Sequence, residues 1–195
     1  MRTNLSAHPR AALALDGRRA AAVALALVGD AEGNACFLLT RRAARLRRHA
    51  GQWALPGGRF EEGESAADAA LRELAEEVGL VPAADAVLGV LDDYATRSGF
   101  VITPVVVWGG AGAELVPDPD EVAAVYQVPL AVLEDPSVPR LRRIPESDRP
   151  VISIAMVGSD VHAPTAAIVY QLREVALHGR ATRVVHFEQP VFAWR

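Results

Sequence analysis

Three glutamates, Glu73, Glu76 and Glu77, lie within about one turn of a predicted helix in the segment GRFEEGESAADAALRELAEEVGL, residues 58–80. Like charges at this spacing repel one another, and anions near a helix C-terminus also oppose the helix dipole. A hard divalent cation removes this penalty, because Mg²⁺ and Mn²⁺ prefer carboxylate oxygens and keep coordination sites for water or phosphate. A solvated acidic face is the usual alternative for paired glutamates, but the residues around them favour a metal site.

Local signals around the glutamates define the helix that carries them. Ser65 followed by Asp68 predicts a capping box, and Gly79 predicts a helix end, so we expect a helix over residues 66–78. At about 100° per residue, one apolar face adjoins the arc of the glutamates. That apolar face consists of Ala67, Leu71, Leu74 and Val78. The helix should therefore bury one face and present the carboxylates beside it.

The segment resembles the Nudix box, G-x5-E-x7-R-E-U-x-E-E-x-G-U, in which U is a bulky aliphatic residue. The resemblance implies a hydrolase that cleaves a diphosphate linkage attached to a nucleoside or similar group, with Mg²⁺ or Mn²⁺ as cofactor. It implies Glu73 and Glu77 as principal metal ligands and Glu76 as an assisting ligand. It also implies that Glu64 and Arg72 pair as a structural brace. The matching residues are Gly58, Glu64, Arg72, Glu73, Leu74, Glu76, Glu77, Gly79 and Leu80.

Further roles follow from the same resemblance. The backbone carbonyl of Gly58 would complete the coordination of the metal ion. Glu76, Glu77 and Glu121 are predicted as catalytic residues, with Glu77 or Glu121 accepting the proton of the attacking water. Glu121 lies in a loop outside the box, where an acid in a Pro/Asp turn is an equally good interpretation. Other acidic or basic candidates for this step are Asp118, Asp120, His49 and His162.

Residues 38–58, LLTRRAARLRRHAGQWALPGG, resemble the additional signature of the coenzyme A pyrophosphatase branch of this superfamily, L-L-T-x-R-[SA]-x3-R-x3-G-x3-F-P-G-G. Leu55 departs from it, because that branch usually has Phe there. The resemblance implies hydrolysis of coenzyme A to 3′,5′-ADP and 4′-phosphopantetheine. Trp53 and the following Leu-Pro-Gly-Gly also fit the generic W-x-L-P-G-G loop, so a dinucleotide or nucleotide sugar remains an alternative substrate.

Arg42 and Arg47 are the predicted substrate-binding residues, because they match the signature within a stretch of six basic residues in a chain of net charge −4. Guanidinium groups bind phosphates through bidentate forks. A local basic patch suits a small polyanion better than a nucleic acid, which favours a broad basic surface. The alternative is a solvated arginine-rich loop. The six residues are Arg41, Arg42, Arg45, Arg47, Arg48 and His49.

The elements that must position these residues predict an α/β fold. Alternating and continuous apolar runs predict a hairpin at residues 20–28 and 35–40 and further strands at 86–91, 100–108, 121–128 and 151–157. Residues 130–134 should form a helical turn and residues 165–178 a second helix, with a loop and one short strand between 136 and 150. The resemblance implies a Nudix-type α/β/α sandwich with a mixed sheet. We expect one domain over residues 20–195, preceded by a loosely docked leader at residues 1–19.

Composition narrows the class of protein. The chain has 195 residues, 51% of them hydrophobic, and one cysteine, Cys36, which we expect to be a buried thiol. No apolar run reaches the roughly 20 residues of a membrane span, and no signal peptide is evident, so a cytoplasmic location is expected. We expect a small-molecule substrate, no nucleic acid or membrane partner, and leave a homodimer open. A non-catalytic ligand sensor and an RNA decapping enzyme are weaker interpretations, because the box is complete and no broad basic surface is evident.

Overall fold

A computed structural model of the protein describes residues 1–45, 51–83 and 85–194. The described residues form a mixed eight-stranded sheet and a separate antiparallel sheet of three strands. The predicted α/β class with a mixed sheet is confirmed. The strands are β1 (Arg19–Gly29), β2 (Ala35–Arg42), β3 (Trp53–Ala54), β4 (Gly57–Arg59), β5 (Val87–Val90), β6 (Tyr94–Ala95), β7 (Phe100–Ala111), β8 (Val122–Pro129), β9 (Arg140–Ile144), β10 (Ser147–Met156) and β11 (Ser159–His162). The helices are α1 (Arg2–Ala7), α2 (Ala66–Val78) and α3 (Thr165–Gln171), which continues as a π-helix over Leu172–Leu177, with 3₁₀ turns at Leu130–Glu134 and Val191–Ala193.

Strand β1 is the centre of the large sheet, whose main order is β3-β2-β1-β7-β5. It runs parallel to β7 and antiparallel to β2, as the predicted hairpin requires. The other half of β1 pairs with β4, so that Val23 lies opposite Gly57 and Ala22 opposite Gly58. This pairing places Gly57 and Gly58, which precede the glutamate helix in the chain, in the middle of the sheet.

Side chains alternate across β1 and divide the core into two layers. Ala22, Ala24 and Ala26 face helix α2, and their small size lets the apolar face of α2, including Leu74, pack closely on the sheet. The opposite face of the large sheet packs against α3 and the three-stranded sheet. The predicted arrangement of helices on both faces of the sheet is therefore present.

Helix α2 has the predicted bounds and ends. The Ser65 hydroxyl accepts a hydrogen bond from the backbone N–H of Asp68, whose carboxylate accepts from the backbone N–H of Ser65. Gly79 adopts φ 69°, the left-handed conformation that ends many helices. The structure thus confirms the capping box and the glycine stop.

The N-terminal residues make specific contacts in place of the loose docking expected from the sequence. Leu5 of α1 is buried, and the backbone N–H of Ala11 donates to Asp92 Oδ1 at 2.8 Å. The backbone N–H of Leu13 donates to Asp93 Oδ2 at 2.9 Å. Asp92 and Asp93 lie far along the chain, so no local pattern could reveal these contacts. The division of the chain into a leader and a domain at residue 20 stays a prediction.

Residues 136–150 form more strand than predicted. The structure replaces most of the expected loop with the β9–β10 hairpin, in which Leu141 pairs with Ile152. The segment is polar and contains prolines, and neither feature predicts a strand from the sequence. The short strands β3, β4 and β6 were also not predicted, because two or three residues are too few to show a periodic pattern. None of the described helices is long and apolar enough to cross a membrane.

Candidate active site

Glu77 is the buried carboxylate of the site. Helix α2 holds its side chain against the start of β4, where the backbone N–H of Gly57 donates to Glu77 Oε2 at 3.2 Å. Only 3% of the residue is exposed. Arg42, at the end of β2, places Nη1 at 3.7 Å from Glu77 Oε1. A buried carboxyl group therefore lies between a sheet glycine and an arginine.

Burial raises the pKa of Glu77 to about 8. The positive charge of Arg42 opposes this shift in the pKa, whereas the negative charges of Glu73 and Glu121 add to it. Burial also raises the pKa of Glu73, although a hydrogen bond from Arg72 opposes that shift. Glu121 contributes to both shifts in pKa, so the structure brings it close to Glu73 and Glu77 although it lies outside helix α2.

The loop that carries Glu121 is attached to both sides of the site. The backbone N–H of Ala43 donates to the Glu121 carbonyl at 2.8 Å, and the backbone N–H of Asp118 donates to the Glu77 carbonyl at 3.0 Å. The loop therefore joins the end of β2 to the end of α2. Asp120, another candidate, forms an ion pair with Arg45 at the surface. Glu121 itself is exposed and open to water.

Arg72 of helix α2 connects four groups of the helix and of the chain before it. Its Nε and Nη2 donate to the two carboxylate oxygens of Glu64 at 2.7 and 3.2 Å, and Nη2 also donates to the Arg59 carbonyl at 3.0 Å. Nη1 donates to Glu73 and to Glu76 at 2.9 Å each. The hydrogen bond from Arg72 lowers the pKa of Glu64. The structure thus brings the predicted brace pair into contact; its role as a brace stays a proposal.

The carboxylates are not arranged as a finished metal site. Among the residues that the structure describes, no group of three histidine, cysteine, aspartate or glutamate side chains is positioned to hold a metal ion. The guanidinium of Arg72 lies between Glu73 and Glu76 instead. The donor set nevertheless fits a divalent cation, because such ions prefer carboxylate oxygens and burial makes the charged forms of Glu73 and Glu77 unfavourable without one. Glu76 differs from them, since 59% of its side chain is exposed.

Gly57 and Gly58 let the sheet approach the glutamates. A side chain on Gly57 would overlap the backbone of β1, with its Cβ only 2.7 Å from Val23 Cα. A side chain on Gly58 would overlap the carboxylate of Glu73, with its Cβ 2.7 Å from Oε2. The first glycine is therefore needed for packing of the sheet, and the second leaves room for a carboxylate at the predicted metal site.

A cleft of about 570 Å³ opens beside these glycines. Arg42 lies on its wall, together with Arg41, Trp53 and Arg59, whereas Arg47 and His49 fall outside the described residues. A second wall comes from β11, from the residues that follow it and from the C-terminal residues. His162, an acid/base candidate from the sequence, lies there, and burial lowers its pKa. Sequence reasoning missed the other residues of this wall, because no motif marks them: Ser159, Asp160, Ala163, Pro164, Thr165, Gln189, Phe192 and Ala193.

Relatives of similar sequence carry the Nudix name. Two relatives named "Uncharacterized Nudix hydrolase NudL" are 47% identical over 95 residues (Pectobacterium atrosepticum; 48% of this chain and 50% of the relative) and 44% identical over 115 residues (Citrobacter koseri; 58% and 59%). The chain thus spans about half the length of the curated relatives it matches. Their names specify no substrate, so the likeness to the coenzyme A branch stays a proposal.

Solved structures show the same fold. A Nudix hydrolase from M. smegmatis, RenU, matches with a TM-score of 0.55 and 24% identity, over 83% of this chain and 88% of that one. A MutT/nudix family protein from Enterococcus faecalis matches with a TM-score of 0.53 and 19% identity, over 82% and 62%. The predicted Nudix fold is therefore confirmed. The model of the NUDIX domain matches residues 17–150, more than half of the chain, and the chain belongs to the Nudix family.

Proposed function

We propose that the protein hydrolyses the diphosphate linkage of a nucleoside diphosphate derivative, with Mg²⁺ or Mn²⁺ as cofactor. The observation that carries this proposal is the buried carboxylate of Glu77, which contacts Gly57 and lies beside Arg42 at the edge of the cleft. A carboxylate with a pKa of about 8 is an unfavourable buried anion at neutral pH. A divalent cation would relieve this cost and bind a diphosphate at the same place.

The residues that would hold the ion are Glu73, Glu76 and Glu77, with the backbone carbonyl of Gly58. When bound, the ion would polarise the diphosphate and lower the pKa of a water molecule. Arg42 would orient a phosphate group through its guanidinium, whose Nε is buried without a hydrogen-bond partner. Arg72 would hold Glu64 and the loop carbonyl of Arg59 in place.

Glu121 is the better candidate for accepting the proton of the attacking water. It is exposed, whereas Glu77 is buried and accepts a hydrogen bond from Gly57. Its loop is attached to β2 and α2 by backbone hydrogen bonds, which hold this part of the chain beside the glutamate helix. A proton acceptor must be reachable by water and held close to the reacting group, and the exposure of Glu121 and the attachment of its loop support this role.

Coenzyme A is the proposed substrate within this class. The signature in residues 38–58 supports it, as does the position of Arg42 on the cleft wall. Leu55 weakens the proposal less than the sequence suggests, because the side chain is 4% exposed and packs in the core. The replacement of Phe by Leu at position 55 therefore affects core packing before it affects substrate binding. A dinucleotide or nucleotide sugar is the alternative substrate; a cytoplasmic location and a homodimer stay predictions.

Hydrolysis of a substrate panel by the purified protein tests the proposal. The panel contains coenzyme A, NADH, ADP-ribose, nucleotide sugars and nucleoside triphosphates, each with Mg²⁺ and with Mn²⁺. We expect turnover that requires the ion and is highest for coenzyme A. Preference for a dinucleotide or nucleotide sugar would overturn the choice of substrate. Saturable binding without turnover of any compound would instead favour a ligand sensor.

A further inference from the structure

The cleft has a second wall, which we call the far wall, built by residues that follow the end of the NUDIX match at residue 150. Its lining residues come from strand β11 and the turn after it and from the C-terminal segment: Ser159, Asp160, His162, Ala163, Pro164, Thr165, Gln189, Phe192 and Ala193. The wall thus brings together two segments separated by helix α3. Because they line the same cavity as Gly58 and Arg42, a ligand bound beside Gly58 would extend onto the far wall.

The far wall is held firmly. Gln189 accepts a hydrogen bond from the backbone N–H of Arg97 at 2.7 Å, and its own carbonyl accepts from Trp194 Nε1 at 2.9 Å. Arg97 also forms an ion pair with the buried carboxylate of Glu188 and lies over the ring of Trp194, 4.7 Å from its centroid. Thr165 donates to the Trp53 carbonyl at 3.4 Å and joins the two walls. The wall is therefore a preformed surface.

The two walls differ in charge. Arg41, Arg42 and Arg59 line the wall nearest the glutamates. The described residues of the far wall contribute no arginine or lysine, and their one carboxylate, Asp160, pairs with Arg140 at 3.1 Å. Burial lowers the pKa of His162 and so favours its neutral imidazole. An anionic group is thus favoured at one end of the cleft and an uncharged group at the other.

An exposed aromatic ring marks the uncharged end. Phe192 lines the cleft although 63% of the residue is exposed, an unfavourable state for a large apolar side chain in a free protein. The ring of His162 lies 5.5 Å away at an interplanar angle of 84°, which limits the orientations open to Phe192. Polar groups of Ser159 and Gln189 lie on the same wall. Aromatic rings with polar neighbours suit a flat heterocycle better than a flexible chain.

We propose that the far wall binds an uncharged planar heterocycle, the nucleobase of the diphosphate ligand, with Phe192 as its principal stacking residue. This inference rests on the proposed function for the type of ligand. It assigns the choice of base to residues after 150 and the recognition of phosphate to the wall that carries Arg42. The far wall would then decide which nucleoside derivatives bind, while the glutamate site decides which bond is broken.

Binding of AMP, measured by isothermal titration calorimetry with Mg²⁺, tests the inference without hydrolysis, because AMP has no diphosphate bond. Ribose 5-phosphate supplies the same sugar and phosphate without the base. We expect Phe192→Ala to weaken AMP binding about tenfold and to leave ribose 5-phosphate unchanged, as loss of one base-stacking contact predicts. Phe192→Tyr should retain AMP binding. Val191→Ala is the matched control, since Val191 lies in the same turn, is partly exposed and does not line the cleft.

Three results would overturn the inference: unchanged AMP binding by Phe192→Ala, equal losses for AMP and ribose 5-phosphate, or no saturable AMP binding by the wild type. The two proposals fail separately. Phe192-dependent AMP binding without hydrolysis of any diphosphate would defeat the proposed function alone, and hydrolysis with Phe192-independent AMP binding would defeat this inference alone.

Discussion

Gly58 packs directly against the carboxylate of Glu73, whereas its neighbour Gly57 packs against the backbone of β1. A methyl group at either position would cause an overlap, but the groups that must move differ. The carboxylate of Glu73 is the end of a flexible side chain and can be displaced, while the backbone at Val23 is fixed in the central sheet. Gly58 therefore leaves room for the candidate site, whereas Gly57 is needed for packing of the sheet.

We expect Gly58→Ala to reduce turnover strongly, because it displaces a proposed metal ligand, and to change the free energy of unfolding by less than about 1 kcal/mol. Gly57→Ala should lower the free energy of unfolding by about 1–3 kcal/mol through overpacking. Urea unfolding and hydrolysis of the best substrate would be measured for both variants. Wild-type turnover in Gly58→Ala would show that the position of Glu73 does not matter.

Glu77→Gln should abolish most turnover, by roughly 100-fold or more, because a coordinating carboxylate is lost. The metal-free variant should be at least as stable as the wild type. The pKa of Glu77 is about 8 in the folded protein, against an ordinary value of 4.5, so the folded state holds the proton more tightly. The wild type should therefore lose stability as pH rises from about 4.5 to 8, and Glu77→Gln should lose less.

Thermal unfolding in EDTA across this pH range, together with activity in saturating Mg²⁺, checks the Glu77 prediction. Glu76→Gln is the comparison, because the Glu76 side chain is largely exposed whereas Glu77 is buried. Glu73→Gln should lose turnover as Glu77→Gln does. Hydrolysis at the wild-type rate by Glu77→Gln would show that the metal site is wrongly assigned.

Arg72→Ala should weaken metal binding and turnover less severely than Glu77→Gln. Arg72 is proposed to act through Glu64 and the Arg59 carbonyl, so its loss should loosen the loop while the ligands remain. Manganese affinity, followed by electron paramagnetic resonance, and turnover would be compared in the two variants. An equal loss of turnover in Arg72→Ala with unchanged metal affinity would instead assign Arg72 to direct contact with substrate.

Arg42→Ala should lower kcat/KM for coenzyme A by a factor that corresponds to about 1–3 kcal/mol of lost transition-state stabilisation. This is the value of a charge-assisted contact. The loss should shrink at high salt, since the contact is partly exposed. The charge of Arg42 lowers the pKa of Glu77, so removing it should move the acid limb of the pH–rate profile to higher pH. Arg45→Ala is the control, because Arg45 pairs with Asp120 at the surface. An unshifted profile with normal kcat/KM would remove Arg42 from the site.

Glu188 should contribute stability that is lost in acid. Burial favours its neutral form, but hydrogen bonds from Arg97, Gln189 and Ser147 outweigh burial and lower the pKa of Glu188 to about 2. Its contribution is thus complete above the ordinary pKa of 4.5 and disappears as pH falls toward 2. Glu188→Gln should cost about 1–3 kcal/mol at pH 7 and less at pH 3. Urea unfolding at both pH values measures this difference, and an equal cost at both would contradict it.

Local signals in the sequence determined helix α2, its two ends and the arc that carries Glu73, Glu76 and Glu77. Capping boxes, left-handed glycines and helical periodicity depend on a few neighbouring residues, so they can be recognised in the sequence without a structure. The hairpin of β1 and β2 follows for the same reason. The family likewise follows from the box, because its spacing reflects one loop and one helix.

Only the tertiary structure decided what surrounds these elements. The burial of Glu77 depends on β4 pairing with β1, and its pKa depends on Arg42 and Glu121, which are distant in the chain. The far wall of the cleft depends on segments beyond residue 150 that carry no motif. Contacts between distant segments arise from the packing of the whole chain, and no short window of sequence records them.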